Sequence, residues 1–168
     1  MMIKAFTFFL LLVISGLAFA QEKQITTFIL IRHAEKNLAQ STNDPELSAD
    51  GKNRAIKLAD VLKKTDIQAI YSTPFKRTQQ TVESLATAKG LKVIAYQANK
   101  MDEIDTMIKQ HLGGTVLLSG HSNTLPIILN YLIGEEKYRT LEDGDYGNII
   151  IVSVNERGKN AKVVWLRY

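Results

Sequence analysis

Short runs of Ile, Leu and Val alternate with segments of helical period from Ile25 to the end of the chain, and this alternation most limits the fold. It is the pattern of a mostly parallel sheet covered by helices. The runs Thr27 to Ile31, Ile67 to Tyr71, Leu91 to Tyr96, Thr115 to Leu118, Asn148 to Val154 and Lys162 to Leu166 read as strands. Several are unbroken, as strands buried on both faces should be. Ala55, Leu58, Ala59 and Leu62 mark a first helix. Phe75, Val82, Leu85 and Ala86 mark a second, with Thr73 expected as N-cap, Pro74 at the first helical position and Gly90 as the stop. Ile104, Met107, Ile108 and Leu112 mark a third, and a mostly apolar fourth runs from about Asn123 to Ile133 with Gly134 as C-cap. Asn155-Glu156-Arg157-Gly158 reads as a hairpin between the last two strands. The expected fold is therefore α/β: a three-layer α/β/α sandwich whose mostly parallel sheet ends in an antiparallel edge.

The 168 residues are 45% hydrophobic and 23% charged, the balance of one globular domain rather than of a disordered chain. Lys4, an apolar run from Ala5 to Ile14 and the small-residue ending Ala18-Phe19-Ala20 read as a secretory leader, residues 1–20. Its apolar stretch is shorter than the ~20 residues that span a bilayer. Residues 21–168 are then the working domain, exported to the periplasm or secreted, with no membrane partner once the leader is cleaved. A net charge of +4 without any basic run suits anionic small substrates and gives no footing for nucleic acid. The absence of cysteine removes disulfides, thiolate metal sites and thiol nucleophiles.

The chemistry collects at strand ends. Strand one ends in Arg32-His33, strand two feeds a helix carrying Arg77, strand three leads to Met101-Asp102-Glu103-Ile104-Asp105, and strand four ends in Ser119-Gly120-His121. The carboxyl edge of such a sheet is where ligands bind. Taken singly, each residue has a structural explanation: Arg32-His33 as a strand cap, Arg77 on a solvated face, His121 in a core, Glu103 favoured by a helix dipole. Their coincidence at four strand ends is harder to explain that way. Imidazoles to attack phosphorus, guanidiniums to match phosphate oxygens and a carboxyl to protonate a leaving oxygen are the needs of phosphoryl transfer. His111, beside the apolar stripe of the third helix, reads as structural.

Leu30-Ile31-Arg32-His33-Ala34-Glu35-Lys36 resembles the signature of the histidine phosphatase (phosphoglycerate mutase-like) superfamily. Tyr71-Ser72-Thr73-Pro74-Phe75-Lys76-Arg77-Thr78-Gln79-Gln80-Thr81 resembles its second motif, Leu47-Ser48-Ala49-Asp50-Gly51 the opening of its first helix, Met101 to Asp105 its acid-bearing segment, and Gly120-His121-Ser122-Asn123-Thr124 its second histidine motif. The blocks stand in family order. The resemblance implies a phosphoglycerate mutase-like fold and a phosphatase that hydrolyses phosphomonoesters, with His33 as a nucleophile that becomes phosphohistidine. It implies that Arg32, Arg77 and His121 hold the phosphoryl oxygens, that Glu103 is the general acid and that Asn123 helps bind phosphate. It implies no metal and no other cofactor.

Three departures bear on this expectation. Ala34 stands where the signature usually has Gly, Glu35 offers a second carboxylate near the nucleophile, and no long insertion is present to cap a substrate. An open site suits small phosphorylated substrates or an exposed phosphorylated side chain. The competing readings are a phosphohistidine-protein phosphatase, a non-catalytic phosphate-binding module, and metal-dependent hydrolysis through His33, Glu35 and His121.

Overall fold

The computed structural model describes residues 24–168, so the expected leader, residues 1–20, lies outside the described residues. The elements in order are β1 (Thr26–Arg32), α1 (Ala49–Leu62), β2 (Ala69–Ser72), α2 (Lys76–Lys89), β3 (Val93–Ala95), α3 (Met101–Gln110), β4 (Thr115–Gly120), α4 (Thr124–Ile133), β5 (Asn148–Val154) and β6 (Lys162–Arg167). They form one sheet in the order β3-β2-β4-β1-β5-β6. β3, β2, β4 and β1 are parallel neighbours, while β5 runs antiparallel to β1 and β6 antiparallel to β5. Among the described residues no helix is long and apolar enough to cross a membrane.

β1 shows why the molecule has three layers. Side chains alternate across a strand, so Phe28 and Leu30 face one side and Ile29 and Ile31 the other. The first pair packs with Ile104, Met107, Leu125, Ile128 and Leu132 of α3 and α4. The second packs with Leu58 and Leu62 of α1 and Val82 and Leu85 of α2. All four β1 side chains are buried, as the unbroken run requires.

The expected elements are all present, with three shifts that have physical reasons. β3 is shorter than Leu91 to Tyr96, and as an edge strand it leaves Ile94 45% exposed instead of covered on both faces. Leu112 lies beyond the end of α3, where the His111 N–H closes the helix on the Met107 carbonyl. The third is the start of α2, where Phe75 and not Thr73 is the N-cap. The Thr73 hydroxyl is already engaged by Thr78 and His121, and the Thr73 carbonyl accepts the Phe75 N–H at 2.8 Å in a turn before the helix. Gly90 and Gly134 end α2 and α4 as expected.

The loop after β1 is fastened to the start of α1. Lys36 bridges Leu47, the Ser48 N–H donates to the Glu35 carbonyl at 2.9 Å, and the Ser48 side chain caps the Gly51 N–H at 3.1 Å. Gly51 sits so close to the Glu35 backbone that any side chain there would collide with the Glu35 carbonyl oxygen. The helix start thereby sets the position of the segment that follows the first histidine.

Candidate active site

The parallel register brings the two histidines together. Arg32 at the end of β1 pairs with Gly120 at the end of β4, and the His33 N–H extends the ladder to the Gly120 carbonyl at 2.9 Å. His33 and His121 therefore leave adjacent strands at the same level, and their rings lie 5.4 Å apart, inclined at 64°. β2 adds its own end on the other side, because Ser72 pairs with Ser119 and the Thr73 N–H reaches the Ser119 carbonyl at 3.2 Å.

The hydrogen bonds assign the tautomer of each ring. His33 Nδ1 lies 2.8 Å from the Ala34 carbonyl, which can only accept, so Nδ1 carries the proton and Nε2 keeps its lone pair. Burial lowers the pKa of His33 to about 4, with the nearby Arg77, Arg32 and Lys36 charges adding to the effect and the Ala34 hydrogen bond opposing it. The ring is thus neutral at neutral pH, with Nε2 unprotonated. His121 Nε2 lies 3.0 Å from Thr73 Oγ1, whose own hydrogen goes to Thr78 Oγ1 at 3.0 Å. Nε2 is therefore the donor, and the bare Nδ1 faces Arg77 Nη2 at 3.5 Å. Burial, then Arg77 and His33, lower the pKa of His121 to about 4 as well.

Both arginines converge on this pair. The Arg32 guanidinium lies 4.4 Å over the Tyr146 ring and its Nη1 donates to the Glu142 carbonyl at 2.6 Å and to the Asp145 carbonyl at 3.3 Å. Arg77 lies 4.6 Å over the Phe75 ring and pairs with Asp44 at 3.5 Å. Arg32 Nε and Arg77 Nη1 are buried and make no hydrogen bond, the long ion pair to Asp44 being all that Nη1 has. Unfilled guanidinium donors are costly unless something accepts from them, and the fitting acceptor is an oxyanion.

These groups line a cleft of about 770 Å³ together with Asn123 at the N-terminus of α4. His33, Arg32, Arg77, His121 and Asn123 are thus brought together as the sequence led us to expect. Glu103 is not among the lining residues. It sits in the first turn of α3, where its carboxylate accepts the Gln97 N–H at 2.9 Å, so the dipole explanation describes its surroundings better than a place in the cleft does. Glu35 does line the cleft, but Arg54 grips both of its oxygens at 2.6 to 2.9 Å and holds its carboxyl below the usual range. The Ala34 methyl group is buried with Leu47 and Ala55, away from the cleft. His111 is structural, with its Nε2 2.9 Å from the Tyr71 hydroxyl. Among the described residues no group of three or more His, Cys, Asp or Glu side chains could hold a metal ion.

Sequence reading missed four contributors. Thr73 and Thr78, which orient His121, were visible only as parts of the second motif. Tyr146 and Asp143 come from the loop before β5, where no apolar period or motif drew attention. The Asp-Gly-Asp-Tyr-Gly run from Asp143 to Gly147 carried a turn signal and nothing else.

Two histidines and two arginines thus stand at the carboxyl edge of the sheet, and residues 28–105 match the model of the histidine phosphatase superfamily, branch 1. The chain is 42% identical over 82 residues to phosphoserine phosphatase 1 of Hydrogenobacter thermophilus, a match covering 46% of this chain and 38% of that protein. The chain thus spans well under half the length of that curated relative. In fold it is similar to the protein histidine phosphatase SixA complexed with tungstate, with TM-score 0.70 and 18% identity over 84% of this chain and 96% of that one. It is also similar to a phosphoserine phosphatase from Entamoeba histolytica in complex with phosphoserine, with TM-score 0.62 and 18% identity over 83% and 94% of the two chains.

Proposed function

We propose that this protein is a phosphatase that hydrolyses phosphomonoesters through a phosphohistidine on His33, without a metal ion. One observation carries the reading: a histidine with its Nε2 lone pair free stands beside two buried guanidinium nitrogens that make no hydrogen bond, one of them with only a long ion pair to Asp44. The phosphoryl group fills those donors. Nε2 then attacks phosphorus in line with the ester oxygen, the P–O bond breaks, and the departing oxygen takes a proton. Arg32 and Arg77 offset the charge on the transferring group, with His121 adding a third contact once its Nδ1 is protonated beside the anion. Water attacks phosphorus next, the P–N bond breaks and its electron pair returns to Nε2.

The first test is hydrolysis of a phosphomonoester panel, phosphoserine included, by residues 21–168 in the presence of chelator. Turnover that survives chelator and is lost in His33→Ala, with an acid-labile, base-stable label on His33, is the expected result. Activity that requires an added divalent ion favours metal-dependent hydrolysis instead. Tight vanadate binding without turnover favours a binding module.

A second reading, a phosphohistidine-protein phosphatase, is favoured by the open rim, where Leu38, Asn123 and Asp143 are exposed. An imidazole leaves phosphorus far more readily than an alkoxide and depends less on a proton donor. The leader-like residues 1–20 belong to this proposal as a route of export, which N-terminal sequencing of the mature protein tests.

A further inference from the structure

We infer that Asp143 is the acid–base residue of the site, an assignment that rests on the phosphohydrolase reading above. An alkyl ester cannot leave as a bare alkoxide at neutral pH, so some group near His33 must deliver a proton. The carboxylates around the cleft separate clearly. Glu35 is held by Arg54, and Asp44 pairs with Arg77 while accepting the Lys76 N–H at 3.0 Å. Both oxygens of Asp145 are engaged, one by Asn148 at 2.8 Å and the other by Arg167 at 3.3 Å. Glu103 points to the Gln97 backbone. Asp143 lines the cleft, and among the described residues its carboxylate has no ion pair or hydrogen bond.

The backbone around Asp143 is held by the phosphate-facing machinery itself. Arg32 Nη1 binds the carbonyls of Glu142 and Asp145, on either side of Asp143. The Leu141 N–H donates to the Ser122 carbonyl at 3.0 Å, tying the loop to the residue after His121. Tyr146 lies under Arg32 and 6.2 Å from the His33 ring. The guanidinium that receives the phosphoryl group therefore also sets where Asp143 stands.

In the first step His33 Nε2 forms the P–N bond, the P–O bond to the alcohol breaks, and the Asp143 carboxyl gives its proton to the leaving oxygen. In the second, the Asp143 carboxylate takes a proton from water as that water's oxygen bonds to phosphorus and the P–N bond breaks. The carboxyl is restored and one water is consumed. The first proton enters with the substrate, since a phosphomonoester titrates at about pH 6 and its monoanion carries a transferable hydrogen.

The test is kcat/KM across esters from p-nitrophenyl phosphate to alkyl phosphates, for the wild type, D143N and E103Q, with phosphohistidine on His33 followed in parallel. For D143N we expect kcat/KM for alkyl esters to fall about 10²-fold, against a change of no more than about threefold for p-nitrophenyl phosphate, whose leaving group needs no proton. Phosphohistidine should also build up in D143N on the activated ester, because its breakdown has lost its base. A loss in D143N that is equal across the series, no loss at all, or the leaving-group-dependent loss appearing in E103Q instead overturns the assignment. A wild-type protein that labels His33 from no ester overturns the underlying phosphohydrolase reading, and the assignment with it, and is told apart by the missing label.

Discussion

The carbonyl of Ala34 fixes the tautomer of His33 by holding the Nδ1 proton, and burial keeps the ring uncharged. Both site histidines are lowered from 6.5 to about 4, and His111 is lowered by burial too. The sign of the pH dependence follows. Between about pH 6.5 and 4 the unfolded chain binds more protons than the folded one, so stability is full above that window and declines as pH falls through it. Glu35 acts in the same direction at lower pH, since a carboxyl held low by Arg54 supports folding above its usual value of 4.5 and loses that support only in more acid solution. The expected outcome is a thermal midpoint that drops from pH 7 to pH 5, a smaller drop in His33→Asn, and imidazole NMR titrations for His33 and His121 with midpoints near 4. Midpoints near 6.5 would contradict the burial that the site requires. The two rings are close enough to titrate as a pair, so the midpoints belong to both.

At the scale of elements, the contact between Gly51 and Glu35 makes the sharpest prediction. Gly51→Ala places a methyl group against a backbone carbonyl that cannot swing aside as a side chain would. Denaturant unfolding should show a loss of about 1–3 kcal/mol, the usual range for overpacking. Phosphatase activity should fall further than stability alone explains, because the displaced segment carries Glu35 and follows His33. The elements themselves were legible because each apolar period repeats over several turns or a whole strand, as in Leu58 and Leu62 or Phe28 to Ile31. What stayed illegible was decided by single contacts over long distances. The start of α2 moved because Thr73 answers to His121 across the sheet. The isolation of Glu35 depends on Arg54, a helix residue that the sequence shows only as one more exposed-looking charge. Glu103 matched an acid-bearing segment by neighbours, yet its direction is set by a helix start that those neighbours also form.

At the scale of the whole molecule, the native state holds two like charges together. Arg32 and Arg77 face one cleft where Arg32 Nε and Arg77 Nη1 make no hydrogen bond, both neighbouring imidazoles are neutral and Asp44 pairs with Arg77 alone, so a bound dianion relieves repulsion as well as filling hydrogen bonds. Inorganic phosphate should therefore raise the thermal midpoint above that in chloride of equal ionic strength. At a concentration about 100 times its dissociation constant the gain is about 2.7 kcal/mol. Arg77→Ala should abolish most of this gain, while His33→Ala, which keeps both guanidiniums, should retain much of it. Equal effects of phosphate and chloride would show that the cleft does not select an oxyanion.

The position of β1 has a consequence for how the molecule is made. Its two neighbours in the sheet are β4 and β5, so Ile31 pairs with Ser119 on one side and Ile149 on the other. Neither partner is nearby in the chain. Loop closure over such separations is slow, and topologies built on it fold more slowly than those built on local contacts. His33 is synthesised early, yet it has no opposing ring, no anchored loop and no burial until the last third of the chain has docked. Recovery of activity during refolding should thus lag behind helix formation and coincide with completion of the central ladder, so that a partly folded chain is chemically silent.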